Sequence, residues 1–188
     1  MIQFRNVSFA YTGVPVVDDL TFECADGGVV WLAGDNGTGK STTVHLALRL
    51  LNPDRGQIEA PPVISAVFQE DRLCEHLTAV ANIRLGLGHK ATNREILAEL
   101  ERVGLAEIEA RRPVGQLSGG QRRRVALVRA LLRPAGLTCL DEPYTGIDEA
   151  SLDQVIAYTQ ERITGRSVIL VCHDTDIAER FNPYVVRI

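Results

Sequence analysis

The sequence has 188 residues, enough for one domain with a sizeable buried core and too few for two full ones. Hydrophobic residues make up 45% and charged residues 23% of it, a globular composition, and 20 basic against 24 acidic residues leave a net charge of −4 that argues against a general polyanion binder. The N-terminal MIQFRNVSFAYTG lacks the apolar core of a signal peptide and no run of 18 or more apolar residues occurs, so the chain is not expected to span a membrane itself.

In chain order, IQFRNVSF, LTFEC and VVWLA read as strands. A glycine-rich run, GDNGTGKS, follows at 34–41 and opens a helical pattern over 40–51. Asn52-Pro53-Asp54 with Gly56 marks a turn into the strand-like QIEA, and VISAVF reads as the next strand. Residues 70–116 are mostly helix-forming, include the helical NREILAELERVG from 93, and end at the helix-breaking RRPVG; they read as a helical subdomain inserted into an α/β core. Helix GGQRRRVALVRALLR from 119, strand LTCL, helix EASLDQVIAYTQERI from 149, and strands SVILVC and YVVRI complete the chain. Strands alternating with helices favour a mostly parallel sheet. There is no internal repeat and no low-complexity tract.

GDNGTGKS fits the pattern G-x-x-x-x-G-K-[ST] as Gly34, Gly39, Lys40 and Ser41, with a strand before it and a helix after it. A nucleotide's phosphates need many donors in a small radius. Glycine lets backbone N–H groups turn inward, and the helix adds its positive end, so Gly34, Asp35, Asn36, Gly37, Thr38, Gly39, Lys40, Ser41 and Thr42 form the candidate phosphate cradle. Lys40 is placed to reach the β- and γ-phosphates, and the Ser41 hydroxyl to ligate magnesium.

Four mostly apolar residues lead into Asp141-Glu142-Pro143. Asp141 is the candidate carboxylate on the magnesium side, and Glu142, leaving the same strand end, the candidate that polarises the water attacking the γ-phosphate. His173, past the strand SVILVC, would reach the same edge of a parallel sheet, although a lone histidine there also reads as a local hydrogen-bonding group.

Leu117-Ser118-Gly119-Gly120-Gln121, lying between the phosphate loop and LTCLDEP, resembles the signature of the ATP-binding cassette (ABC) ATPases; alone, it reads equally as a helix cap. The resemblance extends over essentially the whole chain. It implies an α/β P-loop NTPase core with a mostly parallel sheet, an N-terminal antiparallel β subdomain and an inserted helical subdomain, within a single domain over 1–188 whose helical part runs from about 70–116 through the signature helix to 133. It implies that Tyr11 stacks on adenine, though a core tyrosine fits that position as well. It also implies that Gln69 contacts magnesium and the attacking water, that Asp148 belongs to a loop communicating across a dimer, and that His173 is a switch near the γ-phosphate. Thr145 and Ile147 depart from the family's usual residues beside Asp148. ATP and Mg2+ are the implied ligands. The resemblance also implies that two subunits pack head to tail, with ATP held between one chain's phosphate loop and Ser118, Gly119, Gly120 and Gln121 of the other.

The arginine run Arg122, Arg123, Arg124, Arg129 and Arg133 shares its helix with an apolar face of Val125, Leu127, Val128, Leu131 and Leu132, so it reads as a solvated face rather than a nucleic-acid site. The resemblance implies a second ATPase subunit, either identical or a paralogue, and separate membrane-spanning permease subunits. These would dock near Leu73, Cys74, Glu75, His76 and Leu77 and hold the chain on the cytoplasmic face of the membrane. VFQEDRL followed by LTAVANIRLGL is similar to importer ATPases of nitrate, sulfonate and taurine type, which work with a substrate-binding protein. An exporter ATPase remains the alternative, and a non-transport ABC ATPase a more distant one. No C-terminal regulatory domain is expected after His173. Cys24, Cys74, Cys139 and Cys172 lack CxxC spacing and read as packed thiols of a reducing compartment.

Overall fold

The computed structural model describes residues 1–87 and 91–188. They form two compact units: a core unit of Met1–Ala66, Ala135–Glu142 and Gly165–Ile188, and a helical unit of Val67–Pro134 and Pro143–Thr164.

In the core unit, β1 (Ile2–Tyr11) and β2 (Val14–Cys24) form a hairpin through Thr12-Gly13, with φ of 48° and 84°, the left-handed pair that matches strand twist. β2 begins six residues before the predicted LTFEC, because pairing with β1 recruits a stretch, VPVVDD, whose own alternation is poor. β4 (Arg55–Glu59) pairs antiparallel on the other side of β1, giving the order β2-β1-β4. Ile2, Phe4 and Val7 are buried, and Phe4 stacks on Phe22 with ring centroids 4.6 Å apart.

The second sheet has the order β5-β6-β7-β3-β8, with β3 (Val29–Ala33), β5 (Ile64–Val67), β6 (Leu137–Asp141), β7 (Ser167–Val171) and β8 (Tyr184–Arg187). β6 and β7 are buried at every position, as expected of strands covered on both faces, and β6, β7, β3 and β8 run parallel. The carboxyl ends of β6, β7 and β3 therefore lie side by side on one edge of the sheet. α1 (Lys40–Ala47) follows β3. The short α7 (Thr175–Glu179), capped by Asp174, follows β7 and lacked enough periodicity to be predicted.

The helical unit contains α2 (Ala79–Leu87), α3 (Asn93–Glu101), α4 (Glu107–Ala110), a 3-10 turn at Val114–Gln116, α5 (Gly119–Leu132) and α6 (Glu149–Arg162). The predicted helical block includes 88–90, which lie outside the described residues. Its start, 70–78, is loop rather than helix. Buried Asn82 on α2 accepts from Cys74 N–H at 2.8 Å and its amide donates to the carbonyls of Cys74 (3.1 Å), Thr78 (3.1 Å) and Leu77 (3.3 Å). A side chain thus supplies the partners a helix would have supplied. Among the described residues no helix is long and apolar enough to cross a membrane.

Candidate active site

Residues 34–39 join β3 to α1 and fold tightly on themselves. Lys40 Nζ donates to the carbonyls of Gly34 (2.7 Å) and Asp35 (2.6 Å), Thr38 Oγ1 donates to Asp35 O at 3.0 Å, and Thr43 Oγ1 donates to Gly39 O at 3.0 Å. Gly39 has φ 103°, and a Cβ there would lie 2.6 Å from Val16 O, so both backbone and space require glycine. α1 starts with the Lys40 ammonium and no acidic residue in its first turn. Such a donor-rich, acid-free helix start fits a polyphosphate. Ser41 and Thr42 occupy the next two positions of that first turn, Thr42 being buried.

The close approach of Val16 to Gly39 also locates Tyr11. Tyr11 pairs with Val14 at the hairpin end, roughly 7 Å along the strand from Val16 at two residue rises. Its ring is 45% exposed and held edge-on by Phe9 at 4.8 Å, so it is a surface ring beside the loop rather than a core tyrosine.

Asp141 ends β6, 3% exposed. Glu142 follows with φ 50°, a left-handed backbone that costs a non-glycine residue about 1 kcal/mol. Its N–H donates to Val171 O at 2.9 Å, which fixes this turn to the end of β7. His173 comes from that same strand end, and its Nε2 lies 3.3 Å from Glu142 Oε1; the glutamate side chain is 12% exposed and the histidine 56%. Burial pushes the Glu142 pKa above the ordinary carboxylate value. His173 opposes this, Asp141 reinforces it, and Lys40 pulls it back. A strained, half-buried carboxylate of raised pKa, facing an imidazole beside a phosphate loop, suits a proton acceptor. Trp31, Asp35, His173, Glu179 and Arg187 border a cleft of about 730 Å³.

The remaining predicted site residues lie in the helical unit. Ser118 caps α5: its hydroxyl accepts from Gln121 N–H at 3.2 Å while its own N–H donates to Gln121 Oε1 at 2.9 Å. The cap reading is therefore correct for Ser118 whatever else the motif does. A Cβ at Gly119 would meet nothing within 4 Å, whereas one at Gly120 would lie 2.6 Å from Gly146 O. Gln121 Nε2 donates to Glu109 at 2.5 Å. Asp148 caps α6 through Ser151 N–H at 3.0 Å, and that bond holds its pKa down. Gln69 is exposed, two residues past β5. In the 73–77 segment Cys74, Glu75 and His76 point to solvent while Asn82 pins the backbone, and Gly115 and Val114 N–H groups donate to Glu75 O and Leu77 O, both at 2.9 Å. The other three cysteines are buried thiols.

The arginine run is not the solvated face its sequence suggests. Arg123 and Arg124 are 2% and 7% exposed, Arg129 donates to the carbonyls of Arg72 (2.7 Å) and Asp71 (2.8 Å), and among the five only Arg133 is exposed, with Arg122 and Arg129 intermediate. Arg124 Nη1 donates to Val103 O and Gly104 O, both at 3.0 Å, and lies 3.3 Å from Ser151 Oγ. The available signal was that α5 is apolar on almost every side from Val125 onward, which leaves no wet face for arginines one turn earlier.

A family model described as ABC transporter matches residues 17–145. The chain is 37% identical over 180 residues to an aliphatic sulfonates import ATP-binding protein of Pseudomonas fluorescens, covering 94% of this chain and 69% of that protein. It is 32% identical over 201 residues to a thiamine import ATP-binding protein of Escherichia coli, covering 96% and 84%. Among solved structures, a dimeric bacterial ABC transporter cassette superimposes with a TM-score of 0.88 at 26% identity, covering 100% of this chain and 94% of that one. An ATP-binding subunit of an ABC transporter superimposes at 0.87 with 26% identity, covering 100% and 85%.

Proposed function

The chain belongs to the ABC transporter family and is an ATPase subunit of that family; on that premise we propose that it powers import through separate permease subunits, with the residue roles given below. The observation that carries the catalytic reading is the single sheet edge on which the phosphate loop, Asp141, Glu142 and His173 converge from β3, β6 and β7. Import is supported by two relatives of different cargo, a sulfonate and a thiamine ATP-binding protein, both named as importers. The sulfonate relative and the VFQEDRL segment favour a small anionic organic cargo delivered by a substrate-binding protein.

Lys40 and the first turn of α1 hold the phosphates, and Tyr11 supplies a ring for the base. Magnesium, when bound, would neutralise charge on the β- and γ-phosphate oxygens. The Ser41 hydroxyl and Asp141 carboxylate fit it, being hard oxygen donors, one in the first turn of α1 after β3 and the other at the end of β6. Among the described residues no cluster of three or more His, Cys, Asp or Glu forms a metal cage, and a cation shared with substrate phosphates needs none. Glu142 accepts the proton of the attacking water, and His173 holds the Glu142 carboxylate in place and stabilises its charged form. Gln69 is assigned to the metal and the water on the family pattern. The donors at the start of α5, from Ser118 to Gln121, serve the γ-phosphate of a partner subunit, so that ATP favours the closed pair. Docking on the permease through the 73–77 segment places the chain peripherally on the cytoplasmic face of the membrane.

The test is to recover tagged Glu142→Gln protein with ATP from gently solubilised membranes of its own host. Capture of a multi-span permease together with a substrate-binding protein supports import. A permease without any binding protein in its operon or complex points to export, and capture of ribosomal or DNA-bound proteins alone refutes transport.

A further inference from the structure

We propose that Arg123 is a positioning residue that ties the start of the signature helix α5 to the two segments bearing Gln69 and Glu142. The inference rests on the roles proposed for those two residues. Arg123 is the second residue after Gln121 and is 2% exposed. Its Nη1 donates to Phe68 O at 2.5 Å and lies 3.3 Å from both Gln69 O and Asp71 Oδ1. Its Nε donates to Pro143 O at 3.1 Å. One planar group therefore grips the backbone carbonyl of Gln69 itself and the carbonyl of the residue that follows Glu142, two segments far apart in sequence.

The chain passes from the core unit into the helical unit at Ala66/Val67 and at Glu142/Pro143, and both sets of bonds fall just after those passages. The Asp71 carboxylate, also 3.8 Å from Arg122 Nε, compensates the buried charge. Arg129 Nη groups on Asp71 O and Arg72 O extend the same grip along the Gln69 segment. A guanidinium suits this task because its donors are fixed in one plane and point in divergent directions. Lysine carries the charge as a single compact ammonium and cannot span both segments. A shift of the helix start, where Ser118 to Gln121 lie, is in this way passed to the main chain beside both catalytic side chains.

The test uses ATP turnover by the full chain carrying Arg123→Lys or Arg123→Gln, each in the wild-type and the Glu142→Gln background, with folding followed by near-UV circular dichroism at the assay temperature. A misplacement of about 1 Å at a reacting group can cost about 10²-fold. We expect folded Arg123→Lys to lose roughly 10- to 100-fold in kcat with the KM for ATP unchanged within about twofold, the split that marks an interaction felt in the transition state. In the Glu142→Gln background, single-turnover release of labelled phosphate should fall little further, since both changes act through the same carboxylate. Wild-type kcat in Arg123→Lys, losses that multiply in full with Glu142→Gln, or failure of both arginine variants to fold would each overturn the proposal in favour of a purely structural arginine. Wild-type turnover by Glu142→Gln alone would instead remove the role assigned to that carboxylate, and this inference with it.

Discussion

Replacing Asn82 by alanine removes the side chain that shapes the 73–78 segment, and its cost follows from the bonds that remain. Cys74 O still accepts from Leu77 N–H at 3.0 Å, Leu77 O from Val114 N–H at 2.9 Å, and Thr78 O from the Asn82 backbone at 2.9 Å. The Cys74 N–H, by contrast, loses the partner at 2.8 Å that the side chain provided. An orphaned, half-buried donor costs about 1–2 kcal/mol and each of the three lost supplementary bonds about 0.5 kcal/mol, for a total of about 2.5–3.5 kcal/mol. In a chain of this size that corresponds to a Tm fall of roughly 5–14 °C. Differential scanning calorimetry measures the fall, and urea titration at 25 °C gives the free energy directly. Asn82→Asp should be worse than alanine, because a carboxylate would face three carbonyl oxygens where the amide donated to them. Nucleotide binding should persist in the alanine variant while stimulation by permease is lost. A Tm fall under about 1 °C, or an aspartate variant as stable as wild type, would refute the anchoring role.

Because burial raises the Glu142 pKa, the folded chain holds that proton more tightly than the unfolded chain. The associated stability is full below the ordinary value of 4.5 and is lost as pH rises through the folded value. Glu142→Gln should therefore melt higher than wild type at pH 7–8, the difference shrinking toward pH 4, and the acid limb of the wild-type kcat profile should lie above 4.5. Gly120→Ala should lower Tm and weaken ATP-dependent dimerisation on size-exclusion chromatography, because its Cβ meets Gly146 O at 2.6 Å. Gly119→Ala, with open space around it, should match or exceed wild-type Tm. Tyr11→Ala should weaken binding of a fluorescent ATP analogue by about 1 kcal/mol, roughly fivefold, with Tyr11→Phe close to wild type, as expected if the ring contributes by stacking. Equal loss in both variants would assign the effect to the hydroxyl.

Several parts of this molecule can be read residue by residue because their causes are local. The loop from Gly34 to Ser41 depends on glycine conformations and a helix start that neighbouring residues dictate, and the Ser118–Gln121 cap depends on groups three residues apart. The uninterrupted apolar runs of β6 and β7 identify central strands, and their ends identify Asp141, Glu142 and His173 as candidates for a shared edge. The N-terminal β2 was harder, since VPVVDD becomes strand only through its pairing with β1.

Other features have non-local causes. Whether Arg123 and Arg124 meet water or carbonyls depends on chain that arrives from Phe68, Val103 and Pro143, none of which neighbours them in sequence. The raised pKa of Glu142 depends on burial, which outweighs the opposing imidazole delivered by another strand, and the loop at 70–78 depends on an amide supplied from α2. The sequence by itself determined where phosphate-binding backbone, carboxylates and helix caps occur, because those are properties of a few adjacent residues. Only the tertiary structure decided which polar groups are buried and with whom, because desolvation and hydrogen bonding are settled by whichever distant segment packs against them.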